Sequence, residues 1–276
     1  MLGALIIVFR EVIEAGLIVG IVMAATRGVA GRGRWITIGI GGGVLGASVV
    51  AMFAGVISDA FQGAGQELFN AGVLSIAVVM LMWHNVWMAR HGREIADEMR
   101  RVGTAVSEGA RPLTALAVVV GLAVLREGSE VVLFLYGIMA SGTSGSALLV
   151  GGVLGIAAGA AFTALTYLGL LAIPNRYIFS VTTWLIALLA AGMAAQAVQF
   201  LNNAGVVVAL DRTLWDTSWL LSEKSIFGRL LHTLVGYIDQ PTEMQLMVYI
   251  ATLFATFLLM RIARPSPRRH APAAAE

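Results

Sequence analysis

The chain contains no cysteine and very little charge. Without cysteine among its 276 residues it can form no disulfide bond, no thiolate metal site and no iron–sulfur cluster. Charged residues make up 12% of the sequence, whereas a soluble domain carries about 25%. Apolar residues make up 58%, and the mean hydropathy is +0.85. This composition excludes an ordinary soluble domain and predicts an all-α integral membrane protein.

Seven apolar stretches are long enough to cross a bilayer core of roughly 30 Å, which takes about 20 helical residues. They lie near residues 3–26, 35–58, 66–89, 113–139, 146–173, 178–201 and 243–261. Arginines concentrate in the loops on one side of this arrangement, and short cytoplasmic loops retain positive charge. The sequence therefore predicts a single transmembrane domain over residues 1–264, with the N-terminus outside and the C-terminus inside. The pI of 9.3 then indicates contact with anionic lipid head groups and no nucleic-acid partner.

Two further segments lie outside the predicted spans. The outer loop, residues 202–242, contains an amphipathic pattern over residues 225–234, which predicts a helix on the outer interface or over a pore mouth. Residues 265–276 are rich in Pro, Ala and Arg, and this composition predicts a disordered cytoplasmic tail.

A charged pentapeptide occurs twice within these apolar spans. Arg10-Glu11-Val12-Ile13-Glu14 lies in the first span and Arg126-Glu127-Gly128-Ser129-Glu130 in the fourth, 116 residues later. The sequence Gly-Gly-Val-Leu-Gly also occurs twice, at residues 42–46 and 151–155, with an offset of 109. We interpret these glycines as sites of close helix packing.

These matches predict an internal repeat. Repeat one covers about residues 1–90 and repeat two about residues 113–201, while the seventh span has no counterpart. Because each repeat has three spans, the second copy enters the membrane from the opposite face. Such 3+3 inverted repeats are typical of secondary transporters, whose shared site lies near the bilayer midplane.

The two motifs together predict a cation site. Charges at mid-membrane cost roughly 3 kcal/mol each on insertion scales and persist mainly where they serve a pathway. The motifs supply the carboxylates of Glu11, Glu14, Glu127 and Glu130 and the guanidinium groups of Arg10 and Arg126. The formal charge of −2 suits a cation with oxygen ligands, and each arginine is expected to pair with one carboxylate. The alternative is an ion pair that only locks helices together, and the surplus of carboxylate in both copies argues against it.

The same residues resemble a known family. Arg-Glu-x-x-Glu in the first and fourth of seven spans is the signature of the high-affinity iron permeases, which include fungal plasma-membrane permeases and bacterial EfeU-type proteins. The resemblance covers most of the chain and includes residues 66–69 and the Ser-Ile-Phe-Gly stretch at residues 225–228. In bacterial relatives the third span tends to carry Glu-x-x-Glu, whereas here Glu67 is followed by Asn70.

The resemblance implies the import of iron across the plasma membrane, which is the inner membrane in bacteria. It implies that the four motif glutamates bind iron on its path, supported by Arg10 and Arg126. Iron is then the transported substrate and no cofactor is permanently bound. A separate extracytoplasmic iron oxidase or iron-binding protein is the implied partner.

Other polar residues are secondary candidates. Met80, His84 and Met88 lie on one face of the third span and, with Glu67, could form a second metal path. We prefer the interpretation that the methionines fill packing gaps and that His84 bonds a neighbouring helix. Four acidic residues could concentrate cations at an outer entrance, although solvated surface is the preferred interpretation: Asp59, Asp211, Asp216 and Glu223.

Two alternative functions remain open. Oxygen ligands would also suit another metal such as lead or manganese. A membrane di-iron oxidase would require Glu-x-x-His on paired helices. The positions three residues after Glu14 and Glu130 are Leu17 and Leu133, so the sequence argues against an enzyme. The oligomeric state cannot be predicted.

Overall fold

Most of the chain that can be described is helical. The computed structural model describes residues 1–60, 66–169, 175–223 and 225–263. Within these ranges it forms eight α-helices and no β-strand beyond an isolated bridge between Thr213 and Thr242. The helices are α1 Leu2–Ala25, α2 Arg32–Ala60, α3 Gln66–Ser107, α4 Thr114–Ala140, α5 Gly145–Tyr167, α6 Asn175–Asn203, α7 Ile226–Val235 and α8 Glu243–Ala263. The all-α class is confirmed, and the predicted tail, residues 265–276, lies outside the described residues.

Several helices have the length and composition of membrane spans. Among the described residues, five helices are long and apolar enough to cross a bilayer, namely α2, α3, α5, α6 and α8. The other two long helices, α1 and α4, have 24 and 27 residues but each carries the three charges of one motif. The chain is therefore a multi-pass membrane protein, and its charged motifs lie in the two long helices that do not qualify as spans because of those charges.

Helix α3 is much longer than the sequence predicts. The apolar stretch ends near residue 89, but the helix continues to Ser107 and reaches 42 residues. The added turns carry exposed ion pairs one turn apart, Asp97–Arg100 at 3.9 Å and Glu98–Arg101 at 3.6 Å. Hydropathy identifies only the apolar part of a helix, so the polar extension was missed.

The predicted amphipathic helix is present as α7. The Ser225 hydroxyl accepts a hydrogen bond from the Gly228 amide at 2.9 Å and caps its N-terminus, and Gly236 ends it with a φ of 70°. Gly236 packs against Gly192, which lies eleven residues before the end of α6, or about 16 Å along that helix. The helix thus contacts α6 and α1, and its C-terminal end reaches along α6. Its position relative to a bilayer remains a prediction.

The helices pack in pairs that connect the two halves of the chain. Helix α1 makes its most extensive contact with α5, α2 with α4, and α3 with α6. If α1, α2 and α3 correspond to α4, α5 and α6, the contact of α1 with α5 corresponds to the contact of α4 with α2. The contact of α3 with α6 then corresponds to itself. The most extensive contacts therefore follow the same pattern in both halves, whereas the contact between α1 and α3 has no counterpart of similar extent between α4 and α6 in the described residues.

Two glycines show the same correspondence in atomic detail. A Cβ atom on Gly43 of α2 would lie 2.7 Å from the Gly121 carbonyl oxygen of α4. A Cβ atom on Gly155 of α5 would lie 2.8 Å from the Leu5 carbonyl oxygen of α1. Gly121 and Leu5 are 116 residues apart, which is the offset of the charged motifs. Only glycine permits such close approach of two backbones.

These contacts correct the register predicted for the glycine pentapeptides. By these contacts Gly43 of α2 is equivalent to Gly155 of α5, which is an offset of 112. The predicted offset of 109 is therefore wrong by about one helical turn. In the predicted register Gly42 would correspond to Gly151. A Cβ atom on Gly42 would meet nothing within 4 Å, whereas one on Gly151 would contact Met1 and Ala4. Similar glycine-rich composition produced the false match.

Candidate metal site

Side-chain hydrogen bonds hold the first motif, which is part of α1, against α3. Its arginine, Arg10, donates from Nε to Glu14 Oε1 at 2.8 Å and from Nη1 to Asn85 Oδ1 at 2.9 Å. Arg10 and Glu14 are one turn apart on α1, so the 3.6-residue period brings them together. All three residues are at most 3% exposed. Asn85 thereby ties α3 to the charged turn of α1.

The second motif has the same internal pair but a looser setting. Arg126 Nε donates to Glu130 Oε1 at 3.3 Å and lies 3.9 Å from Glu127 Oε1. The guanidinium carbon lies 3.8 Å from the centre of the Trp87 ring of α3, a cation–π contact. The Arg126 side chain is 36% exposed, compared with 3% for Arg10. Each arginine pairs with one carboxylate of its own motif, but the two pairs are not equally buried.

His84 of α3 lies between the two motifs. Its Nε2 atom is 3.8 Å from Glu11 Oε2 and 3.6 Å from Glu14 Oε2. Its Nδ1 atom contacts Glu130 Oε2 of the second motif. The ring is 3% exposed and packs edge-on against Phe134, with ring centres 6.3 Å apart. A histidine on a third helix therefore joins acids from both motifs.

The cluster has the composition of a metal site. Ligand atoms of Glu11, His84, Glu127 and Glu130 all lie within 4.8 Å of one another. Within the described part of the chain, neither Glu11 oxygen nor Glu127 Oε2 accepts a hydrogen bond, although these atoms are buried. Buried carboxylate oxygens without donors are costly, and a bound cation would satisfy them. Carboxylate and imidazole are both common ligands of divalent metals.

A buried apolar cluster borders the site on one side, and a cavity opens beside the acids. The apolar residues one turn from the acids and the histidine are Ile7, Leu81 and Phe134, which are fully buried in one apolar cluster. A cavity of about 660 Å³ is lined by Glu11 and Glu127 and is otherwise mostly apolar. It lies between α1, α2, α4 and α5 and extends to Met23 and Tyr167, near the C-terminal ends of α1 and α5.

The secondary candidates on α3 separate in the structure. His84 is at the centre of the cluster, whereas Met80 packs against the apolar cluster and Met88 lies near Gly92. Glu67 is in the first turn of α3, seventeen residues and about 26 Å from His84 along the helix. The structure therefore brings only His84 of this set to the motifs.

The described acids of the outer loop have local partners. Asp211 accepts a hydrogen bond from Asn202 at 2.6 Å, and the Glu223 carboxylate lies 3.1 Å from His232 Nδ1. Hydrogen bonds donated by the hydroxyl and amide of Ser218 lower the pKa of Asp216. The Asp59 side chain lies outside the described residues. An entrance role for these four acids stays a prediction, and the local bonds of Asp211, Asp216 and Glu223 fit a structural role.

Sequence reasoning missed Asn85 and Trp87. Both lie within one turn of His84, in an otherwise apolar span, and each contacts an arginine of one motif. A polar residue and a tryptophan beside a buried histidine were the available signals. Their partners are on other helices, so spacing along α3 could not identify them.

A helical, multi-pass membrane protein with two matching charged motifs around one buried cluster has the general build of a membrane transporter. The chain belongs to the iron permease family: the profile of the Iron permease FTR1 family matches residues 1–263. It is 32% identical over 272 residues to the ferrous iron permease EfeU of Escherichia coli O157:H7, covering 97% of both chains. It is 28% identical over 275 residues to the ferrous iron permease EfeU of Yersinia pestis, covering 98% of this chain and 96% of the relative. No solved structure matches it significantly.

Proposed function

We propose that this chain imports iron across the plasma membrane, which is the inner membrane in bacteria, through a midplane site between its two Arg-Glu-x-x-Glu motifs. The relatives are named as ferrous iron permeases, and the family membership covers almost the whole chain. The metal ligands are Glu11, Glu14, Glu127 and Glu130, and Arg10 and Arg126 hold their acids in place.

One observation carries this proposal: buried carboxylate oxygens from both motifs face each other without hydrogen-bond donors. Four carboxylates and two guanidinium groups leave a formal charge of −2. If the motifs served only to lock helices, each acid would be expected to have a donor, because an unpaired buried charge destabilises the fold. A divalent cation would neutralise the surplus.

The proposed architecture has seven spans, with a 3+3 inverted repeat, the N-terminus outside and the C-terminus inside. The paired helix contacts and the equivalent environments of Gly43 and Gly155 support the repeat. The arginine distribution supports the orientation. In this orientation the apolar cluster lies on the outer side of the site, and the cavity extends into the cytoplasmic half.

The proposed partner is an extracytoplasmic iron oxidase or iron-binding protein, as the family resemblance implies. Lead or manganese is the alternative substrate, because carboxylate ligands also suit these ions. A di-iron oxidase is less well supported, because the cluster's histidine comes from α3 and not from a Glu-x-x-His motif.

The test is iron flux into proteoliposomes that contain the purified protein. Glu11→Gln and Glu127→Gln keep the size of each side chain but remove a negative charge from the site. Both are expected to reduce iron uptake at least tenfold, whereas Glu98→Gln, on the exposed surface of α3, should leave it unchanged. Lead and manganese are measured in parallel with ferrous and ferric iron, with and without a proton gradient.

Two results would contradict the proposal. One is the absence of any metal flux by wild-type protein that is folded and correctly inserted. The other is wild-type uptake by both glutamine variants, which would show that transport does not use this cluster. Preferred flux of lead or manganese over iron would support the alternative substrate.

A further inference from the structure

We infer that His84 is a direct ligand of the transported ion and selects transition metals over magnesium and calcium. This inference rests on the proposed function and adds to it a residue that sets specificity. The family motifs consist of carboxylates and arginines, so they do not by themselves account for a nitrogen ligand at the centre of the site.

The contacts of the His84 ring differ from those of the other described histidines with a printed bond. His91 Nδ1 lies 3.2 Å from the Trp87 carbonyl oxygen, and His232 Nδ1 lies 2.8 Å from the Tyr237 carbonyl oxygen. In both, Nδ1 bonds the backbone, although His232 Nδ1 also lies 3.1 Å from the Glu223 carboxylate, so that among the described residues only one carboxylate faces that ring. Both nitrogens of His84 instead face carboxylate oxygens, from α1 on one side and α4 on the other.

The ring is also held in a fixed place. It is 3% exposed and packs edge-on against Phe134. The next residue, Asn85, accepts a hydrogen bond from Arg10 and so fixes α3 against the motif of α1. A ligand that is oriented before the ion arrives loses little entropy on binding. The surrounding helices therefore position the imidazole for coordination.

The chemistry of this donor set favours one class of cation. Magnesium and calcium prefer oxygen ligands throughout, whereas divalent iron, manganese, cobalt, nickel and zinc also accept imidazole nitrogen. A neutral imidazole adds a metal ligand without adding charge. The formal charge of −2 from the motif residues therefore still matches a divalent ion. The carboxylates attract the cation, and His84 distinguishes between cations of equal charge.

The first experiment compares His84→Gln with His91→Gln, a histidine on the same helix that bonds the backbone. Ferrous iron flux into proteoliposomes is measured with competing cobalt, manganese, magnesium or calcium. In His84→Gln the advantage of ferrous iron and cobalt over magnesium and calcium should fall at least about tenfold, while His91→Gln keeps the wild-type order. An unchanged order in His84→Gln would overturn the inference.

The second experiment does not need a stable variant at position 84. Ferrous iron is bound to the wild-type protein in detergent, and nitric oxide is added to make the iron centre paramagnetic. Electron spin echo modulation then detects imidazole nitrogen that is bound to the iron. Modulation from one imidazole is expected in both the wild type and His91→Gln.

The outcomes separate the two proposals. Bound and transported iron without imidazole modulation would overturn the role of His84 and leave the permease function intact. If iron neither binds nor moves, the proposed function itself fails.

Discussion

Replacing Arg10 by lysine should destabilise the protein more than the same replacement at Arg126. Arg10 donates two hydrogen bonds, to Glu14 at 2.8 Å and to Asn85 at 2.9 Å, and it is 2% exposed. An ammonium group is a point charge and cannot reproduce this forked contact. Lysine would therefore keep the carboxylate and lose the bond that connects α1 to α3.

The magnitude follows from the bond that is lost. A hydrogen bond to a charged group contributes about 1.5–3 kcal/mol in proteins generally, but side-chain bonds between membrane helices average about 0.6 and reach about 1.7 kcal/mol. The Asn85 oxygen would be left buried without a donor, so we expect a loss near the upper membrane value, about 1.5 kcal/mol. For Arg126, which is 36% exposed and 3.3 Å from Glu130, we expect about 0.5 kcal/mol, because lysine can keep the contact with Trp87.

The free energy of unfolding is measured in mixed micelles by titration with sodium dodecyl sulfate, with helix content as the signal. A double-mutant cycle with Asn85→Leu isolates the interhelical bond, since Arg10→Lys should cost little more once the amide is absent. Equal losses for the two arginine variants would refute this reasoning. So would a coupling energy between Arg10 and Asn85 near zero.

Three further predictions concern a close helix contact, a cation–π contact and a helix cap. Gly43→Ala should lower the free energy of unfolding by about 1–3 kcal/mol because a Cβ there would lie 2.7 Å from a backbone oxygen of α4, whereas Gly42→Ala faces open space and should be neutral or slightly stabilising. The pair is measured by the same micelle titration, and equal effects would argue against the 112-residue register. Trp87→Leu should lower the free energy of unfolding by about 0.5–2 kcal/mol because the cation–π contact with Arg126 is lost. This loss is measured by the same micelle titration, after the contribution of Trp87 to the spectroscopic signal is subtracted. Ser225→Ala should remove the N-cap of α7 at a cost of about 1 kcal/mol, detected as faster amide hydrogen exchange in that helix, and unchanged exchange would exclude the capping role.

The parts of the site that follow from local periodicity could be predicted from the sequence. Arg10 with Glu14 and Arg126 with Glu130 are each four residues apart, and four residues is about one helical turn. Once hydropathy identifies the two helices, the geometry of the helix places both partners of each pair within reach of one another. The pairing of both arginines therefore needed no knowledge of how helices pack.

The parts that depend on packing between helices could not be predicted. Spacing along α3 puts Met80, His84 and Met88 on one face, but it does not say which of them meets another helix at the level of the motifs. Asn85 contacts Arg10 across 75 residues of sequence. Only the packing of α3 against α1 and α4 selects His84 as the residue between the acids.

The predicted register of the glycine pentapeptides was wrong for a different reason. A five-residue match between glycine-rich segments carries little information, because small residues recur at many positions in membrane helices. The contacts of Gly43 and Gly155 define the equivalence through their partners on α4 and α1, and these partners follow the 116-residue offset of the motifs. Chemically distinctive residues gave the right offset, and composition gave the wrong one.

The two halves of the chain contribute unequally to the site. Both motifs supply acids, but α3 adds a histidine, an asparagine and a tryptophan, whereas the buried residues of α6 include six alanines: Ala187, Ala190, Ala191, Ala194, Ala195 and Ala197. The repeated motif therefore accounts for the negative charge, which any cation would satisfy. Within the described residues, the cluster contains one nitrogen ligand, and it lies on α3. If His84 binds the metal, attraction for cations is a property of the repeated motif, and discrimination among cations is a property of this single helix.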